Sequence, residues 1–126
     1  MEILFSSSRE YELENFKKFF EEKSLNVRYQ MESINKNTLA TAYGYSVIFA
    51  FVNDCFDREN LEKLSHEGLE AIFLRCAGFN NIDLEAAKEF GIQVARVPSY
   101  SPEAIAEYTL ALCLNLNRKI HKSYQR

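Results

Sequence analysis

The feature of this sequence that most constrains its fold is the alternation of short apolar runs with segments whose apolar residues recur at helical spacing. Residues 47–52 are apolar at every position, which is typical of a central parallel strand that is buried on both faces. Val27, Tyr29 and Met31 instead alternate with polar neighbours, as in a strand at the edge of a sheet. The pattern therefore predicts strands and helices that alternate along the chain.

Five strands and their intervening helices follow from this pattern. The strands are predicted at residues 2–6, 27–31, 47–52, 71–74 and 92–97. The predicted helices are an amphipathic one with Leu13, Phe16, Phe19 and Phe20 on one face, a weak one near residues 38–43, one capped by Asp57 that runs through Leu64, and a short one capped by Asp83 and ended by Gly91. Since parallel strands are joined by helices, the expected fold is α/β, a flavodoxin-like open parallel five-stranded sheet with helices on both faces.

The last part of the chain predicts one long helix. Ser101 is expected to be its N-cap, Pro102 suits the first helical position, and Glu103 suits the positive end of the helix dipole. No residue before Arg126 is expected to break this helix, and no Gly or Pro stop signal follows it. The sequence therefore resembles a fragment that ends inside a helix.

The apolar residues of this helix do not form a single stripe. Ile105, Tyr108 and Leu112 define one face, whereas Leu110 and Leu114 lie on others. Because a helix that is apolar nearly all round is normally buried on several sides, we expect a second packing surface on another domain or another subunit. The alternative is a terminal helix that lies over the sheet.

Composition and charge narrow the classes of partner. A 126-residue chain that is 47% hydrophobic fits one globular domain, and its net charge of -3, with charges interspersed, offers no basic surface for nucleic acid. The N-terminus lacks a basic signal segment, and the apolar stretch at residues 45–52 is too short to span a membrane. Cys55, Cys76 and Cys113 form no C-x-x-C motif and are expected to be small core residues in a reducing cytosol. We therefore expect a cytoplasmic protein whose partners are small molecules or proteins.

Ligands of open α/β sheets bind at the carboxyl ends of the strands. After the first strand, the serines at residues 6–8 offer either an anion cradle or turn caps, and caps are the commoner use. After the third strand, Asp54 lies where receiver domains carry their phosphorylated aspartate. A receiver would also need an acidic pair after the first strand and a lysine after the fifth, and both are missing here. Asp54 is therefore predicted to cap its turn.

The ends of the fourth and fifth strands together predict one site. Gly78, within residues 75–81 (RCAGFNN), permits a left-handed or otherwise strained backbone and lets a ligand approach, so neighbouring N–H groups can face a carboxylate. Tyr100, between two prolines, offers a phenol on a stiffened loop. The alternative is that Gly78 only forms the turn and Tyr100 only packs.

Residues 75–83 (RCAGFNNID) and 95–107 (ARVPSYSPEAIAE) closely resemble the NAD-dependent D-2-hydroxyacid dehydrogenases, most of all the bacterial D-lactate dehydrogenases. The resemblance extends through residues 52–54 and 110–118, and so over essentially the whole chain. Enzymes of this family combine a flavodoxin-like substrate domain with an NAD-binding Rossmann domain. The resemblance implies a substrate-binding domain at residues 1–101 and, at residues 102–126, an interdomain helix that leads to an absent NAD-binding domain.

The resemblance also implies roles for three residues. Ala77 and Gly78 would present backbone N–H groups to the substrate carboxylate, and Tyr100 would hydrogen-bond the bound keto acid. The resemblance implies that the family's catalytic arginine and its histidine–glutamate pair lie downstream. His66 and His121 do not occupy the place of that histidine and are expected at the surface. No G-x-G-x-x-G motif occurs, so no cofactor-binding residue is predicted in this chain. No catalytic or metal-binding residue is predicted in it either.

The parent enzyme implied by the resemblance reduces pyruvate to D-lactate with NADH. This chain alone is expected to be inactive and to bind no NAD. Its expected partners are a small 2-keto or 2-hydroxy acid and a second copy of itself through the terminal helix, with no nucleic acid and no membrane. The alternative is a stand-alone interaction or regulatory module that keeps the fold and binds a partner through its exposed helix.

Overall fold

Five parallel strands form one sheet in the computed structural model, which describes residues 2–124. The strands are β1 (Ile3–Phe5), β2 (Val27–Tyr29), β3 (Val47–Ala50), β4 (Ala71–Leu74) and β5 (Gln93–Arg96), and their order across the sheet is β2-β1-β3-β4-β5. The register pairs Phe5 with Phe49, and Phe49 with Phe73. The predicted flavodoxin-like sheet is confirmed, with β3 at its centre and β2 at an edge.

Helices connect the strands and extend the chain beyond β5. They are α1 (Glu10–Glu22), α2 (Arg58–His66), α3 (Leu84–Glu89), α4 (Pro102–Arg118) and α5 (Ile120–Tyr124), with a 3-10 helix at Leu39–Ala42 between β2 and β3. The Asp57 carboxylate accepts a hydrogen bond from the Asn60 backbone N–H at the start of α2, and Asp83 accepts one from Ala86 at the start of α3. Gly91 follows α3 with a φ of +73°. The two predicted aspartate caps and the glycine stop are therefore confirmed.

The two faces of the sheet are covered unequally. The first face packs against α2, α3 and the 3-10 helix, through a continuous core that includes Leu4, Ile34, Leu39, Ile48, Phe56, Leu61, Leu64, Ile72, Leu74 and Ala86. The second face is covered by α1, whose Phe16 and Phe20 rings lie 4.8 Å and 6.3 Å from the ring of Phe5. Phe49 stacks on Phe73 at 5.1 Å, and Phe73 is 40% exposed. Helices therefore lie on both faces as predicted, but the second face is open over β4.

The terminal helix α4 buries none of its described residues. Its large apolar side chains are all exposed: Ile105, Tyr108, Leu110, Leu112, Leu114 and Leu116. The alternative in which this helix lies over the sheet is therefore wrong. Among residues 2–124, no helix is both long and apolar enough to cross a membrane.

The prediction of an unbroken terminal helix is also wrong. α4 ends at Arg118, because Lys119 adopts a left-handed backbone with a φ of +51°. The Asn115 side chain accepts a hydrogen bond from the His121 N–H at 3.1 Å, which favours a new helix start over continuation of α4. Ser101 precedes α4 without a side-chain cap hydrogen bond, so the predicted serine cap is absent. The last two residues of the predicted helix, Gln125 and Arg126, lie outside the described residues.

Candidate functional site

The carboxyl ends of β1 and β3 meet at a buried carboxylate. Asp54, which is 1% exposed, accepts hydrogen bonds from the hydroxyls of Ser6 (2.8 Å) and Ser7 (2.9 Å) and from the backbone N–H groups of Ile34 and Phe51 (both 2.7 Å). The bond from Phe51 confirms the predicted turn cap. The serines therefore serve an internal carboxylate, and their use as a cradle for an external anion is not supported.

Arg75, at the end of β4, lies beside this network. Its guanidinium donates to the carbonyl oxygens of Phe49 at 2.6 Å, Ser6 at 3.1 Å and, more distantly, Ser7 at 3.4 Å. It also forms an ion pair with Glu12 of α1, with 3.0 Å between Nη2 and Oε1. Arg75 therefore joins three strand ends and one helix.

Aromatic rings complete the environment of Arg75. The guanidinium carbon lies 3.8 Å from the ring centroid of Phe5 and 5.4 Å from that of Phe51, which are cation–π distances. Nε is buried and has no hydrogen-bond partner among the described residues. Sequence reasoning assigned no role to Arg75, although a charged residue directly after the apolar run at residues 71–74 was a usable signal.

The turn after β4 presents the two amides that were predicted to bind a carboxylate. No described residue accepts a hydrogen bond from the backbone N–H of Ala77 or Gly78. Gly78 does not use the left-handed backbone that its sequence permits, in contrast to Gly91. A Cβ built on Gly78 would meet no atom within 4 Å. The space beside the Gly78 backbone is therefore open to a ligand.

Cys76 is part of the same turn. Its thiol donates to the Gly78 carbonyl oxygen at 3.2 Å and packs against the core. Burial raises the pKa of the Cys76 thiol above its usual value; the nearby Arg75 charge opposes this effect and the Asp54 carboxylate adds to it. The expectation of three buried cysteines is wrong for Cys55 and Cys113, because both are exposed. All three thiols are unpaired.

Arg96 connects the turn after β4 to the loop after β5. Its Nη1 donates to the carbonyl oxygens of Ala77 at 2.9 Å, Pro98 at 3.1 Å and Val97 at 3.2 Å. The Val97 N–H also donates to the Cys76 carbonyl oxygen at 3.2 Å. The ends of β4 and β5 therefore lie together, through an arginine that sequence reasoning did not single out.

A cavity of about 530 Å³ opens at these strand ends. Ala77 and Tyr100 both line it, while Gly78 is the next residue along the chain from Ala77. The Tyr100 side chain is 75% exposed. The complete lining is Tyr11, Glu12, Phe51, Arg75, Cys76, Ala77, Val97, Tyr100 and Ile105. The walls are largely apolar, and their charged groups are the paired Glu12 and Arg75.

Other polar groups of the described part of the chain do not form a second reactive site. His66 and His121 are exposed, as predicted. Within residues 2–124 there is no group of three or more His, Cys, Asp or Glu side chains that could hold a metal ion. A smaller cavity of about 240 Å³ contains Asp57 and Asp83, whose carboxylates are the caps of α2 and α3.

Comparisons with known proteins agree with this geometry. The family described as "D-isomer specific 2-hydroxyacid dehydrogenase, catalytic domain" matches residues 3–123. The 2-hydroxyacid dehydrogenase homolog 1 of Schizosaccharomyces pombe is 48% identical over 126 residues, which are 100% of this chain and 38% of that protein. The apo-structure of D-lactate dehydrogenase from Escherichia coli has a TM-score of 0.81 at 40% identity and covers 100% of this chain and 40% of its own.

A third relative carries ligands. D-lactate dehydrogenase from Aquifex aeolicus, in complex with NAD and lactic acid, has a TM-score of 0.76 at 31% identity and covers 98% of this chain and 36% of its own. The chain thus spans little more than a third of the length of these proteins.

Proposed function

Since this chain belongs to the D-isomer specific 2-hydroxyacid dehydrogenase family, we propose that it supplies the substrate-binding part of an enzyme that reduces pyruvate to D-lactate with NADH. The observation that carries the proposal is the pair of unbonded amides at Ala77 and Gly78 beside a cavity that Tyr100 also lines. Residues 1–101 belong to the substrate domain in this proposal, and residues 102–126 belong to the connection that leads to the NAD-binding domain, with α4 as its main helix.

The substrate carboxylate binds at the turn after β4. The N–H groups of Ala77 and Gly78 donate to its oxygens, and a hydrogen bond to a charged group contributes about 1.5–3 kcal/mol. The phenol of Tyr100 donates to an oxygen of the bound keto acid. Because the acid is held at two points, its orientation in the cavity is defined.

The described residues do not fit a dinucleotide. A pyrophosphate seat needs a glycine-rich turn between a strand and a helix N-terminus. Gly44, Gly68 and Gly91 all follow helices, so Gly78 is the one described glycine between a strand and a helix, and a single glycine does not make a glycine-rich turn. The turn between β1 and α1 holds serines that are hydrogen-bonded to Asp54. When bound to the parent enzyme, NADH supplies the hydride. This chain's own residues bind and orient the acid, so the chain alone binds no NAD and turns over no substrate.

The exposed terminal helix supports the partner part of the proposal. Ile105 and Leu112 are among its exposed apolar residues. Burial of each large apolar side chain contributes about 1.5–3 kcal/mol. We therefore assign α4 both to the connection with the next domain and to self-association of the protein. We place the protein in the reducing cytosol.

Pyruvate-dependent oxidation of NADH tests the proposed function. It is measured for the full-length protein encoded by the reading frame that contains this chain, and for the 126-residue chain alone. We expect turnover by the full-length protein and none by the chain. Turnover by the chain alone would contradict the proposal that this chain only binds the acid and that NADH binds to another part of the enzyme. A full-length protein that is inactive with pyruvate and with other 2-oxo acids would refute the dehydrogenase proposal.

The exposed helix also supports a second candidate, a stand-alone interaction or regulatory module. In that case α4 binds a different protein and the cavity is not used for catalysis. The native reading frame separates the candidates. Continuation past Arg126 into a glycine-rich dinucleotide motif supports the dehydrogenase, whereas a natural stop codon at that point supports the module.

A further inference from the structure

The Arg75–Glu12 ion pair is unusual among the ion pairs of residues 2–124. Its side chains are 6% and 13% exposed, whereas every side chain in the other pairs is at least 40% exposed. Removing both charges from water is costly, and buried ion pairs often stabilise a fold no better than apolar residues of the same size. Stability alone therefore gives a poor reason for this pair.

The contacts of Arg75 show what the pair holds in place. Four of its five N–H groups reach acceptors, because Nη1 bonds Ser6 and Phe49 and Nη2 bonds Ser7 and Glu12. The fifth donor, Nε, has no partner. A lysine in this position would keep the charge, but its three donors on a flexible stem do not reproduce the planar fork.

Arg75 is also the residue from which the proposed carboxylate seat begins. Its backbone N–H donates to the Ala50 carbonyl oxygen of β3 at 2.9 Å, and Cys76 and Ala77 follow directly. Arg75, Glu12 and Ala77 line one cavity. The start of the seat is therefore attached to β3 by the backbone of Arg75, and to β1 and α1 by its side chain.

We propose that Arg75 is a positioning residue for substrate binding. Arg75, held in place by Glu12, fixes the turn after β4 so that the amides of Ala77 and Gly78 face the substrate carboxylate. This inference rests on the proposed function. Arg75 acts through the turn, and Glu12 acts through Arg75 by fixing the orientation of the guanidinium.

The test compares Arg75→Lys with Arg58→Lys in the full-length protein. Arg58 forms a similar pair with Glu89, at 2.8 Å, but this pair is exposed and joins α2 to α3. We expect Arg75→Lys to raise the KM for pyruvate by about tenfold or more, because small misplacements of binding groups are costly. The KM for NADH should stay within about twofold of the wild-type value, since the substitution weakens binding of the acid only. Arg58→Lys should change neither constant.

Oxamate, an unreactive analogue of pyruvate, gives a second measurement. Its inhibition constant should rise in parallel with the pyruvate KM in Arg75→Lys, because both ligands place a carboxylate in the same seat. A general loss of folded protein would instead lower kcat and leave both constants unchanged.

Glu12→Gln provides a second variant if Arg75→Lys does not fold. Glutamine keeps the size of the side chain and one acceptor oxygen, so we expect a smaller increase in the pyruvate KM, about threefold to fivefold, with the NADH KM unchanged. A folded Arg75→Lys protein with the wild-type pyruvate KM would overturn the inference, as would a Glu12→Gln protein with wild-type constants. An inactive wild-type protein would instead refute the proposed function, and the positioning role with it.

Discussion

The sheet region, residues 3–96, and the terminal region, residues 97–124, are both rich in apolar residues but differ in burial. Every buried residue of the described chain lies between Ile3 and Ile92. In the terminal region, Asn115 alone is even partly buried. The same apolar content thus forms a core in one region and an exposed surface in the other. An apolar pattern shows that a segment needs burial, but it does not show which surface provides it.

The difference in burial predicts the largest difference in stability. Phe5→Ala removes a fully buried ring that contacts Phe16 and Phe49, and we expect it to lower the free energy of unfolding by about 3–5 kcal/mol. The matched change in the terminal region, Leu114→Ala, should cost less than about 0.5 kcal/mol. Urea unfolding of the chain measures both. Equal costs would show that the terminal region is packed after all.

The next largest loss of stability is expected when the buried carboxylate of Asp54 is removed. Asp54→Ala leaves the Ser7 hydroxyl and two backbone amides without their acceptor, while the Ser6 hydroxyl keeps the Phe49 carbonyl oxygen at 3.3 Å. We expect the free energy of unfolding to fall by about 3 kcal/mol. Asp57→Ala, which removes the cap of α2, is the control and should cost about 1 kcal/mol. The midpoints of urea unfolding distinguish them. A cost at Asp54 no greater than that at Asp57 would mean that the buried network is not stabilising.

If the terminal region binds a partner, its apolar residues become buried, and the difference in burial between the two regions disappears. We expect the protein to self-associate through α4, and Ile105→Asp combined with Leu112→Asp should weaken association at least tenfold, or about 1.4 kcal/mol. Sedimentation equilibrium measures the dissociation constant. Asn117→Asp adds a charge to a polar position of the same helix and should have little effect. A wild-type protein that stays monomeric at high concentration would exclude this partner.

The smallest expected difference between the two regions is in the reactivity of their thiols, Cys76 in the sheet region and Cys113 in the terminal region. Because burial raises the pKa of Cys76, less of this thiol is ionised at pH 8 than in an unperturbed cysteine. We expect iodoacetamide to modify Cys76 several-fold more slowly than the exposed Cys113, as followed by mass spectrometry of peptides. Because burial disfavours the ionised thiol in the folded state, stability is expected to fall as the pH rises from the unfolded-state pKa through the raised folded-state pKa. Equal rates at the two thiols would argue against the raised pKa.

The parts of the fold that were predicted correctly depend on local signals. Residues 47–52 are apolar throughout because β3 is central, and Asp57 and Asp83 lie one residue before the helices that they cap. The role of Arg75, which was missed, depends on distant contacts. Arg75 bonds residues that lie between 26 and 69 positions away, so its partners cannot be identified from the neighbouring sequence, although its place after an apolar run is visible there. The end of α4 was also missed, although the features there are local: the left-handed backbone of Lys119 and the hydrogen bond from the His121 N–H to the Asn115 side chain.

The site shows the same division. The motif at residues 75–81 and the position of Tyr100 indicated which strand ends to inspect, and those ends do lie together. Arg96, which joins them, was not distinguishable from a surface arginine, because its acceptors are backbone carbonyl groups that any sequence supplies. The roles of Ala77, Gly78 and Tyr100 remain predictions.

The buried Asp54 network has a consequence for the topology of ligand binding. In a sheet of this order, connections leave β1 and β3 in opposite directions, and the crevice between these two strands is where flavodoxin-like folds usually bind a mononucleotide. Here the chain fills that crevice with its own charges, the Asp54 carboxylate and the Arg75 guanidinium. A phosphate or mononucleotide probe chosen by analogy of fold is therefore expected to find no seat there. A small monocarboxylate is expected to bind at the adjacent strand ends.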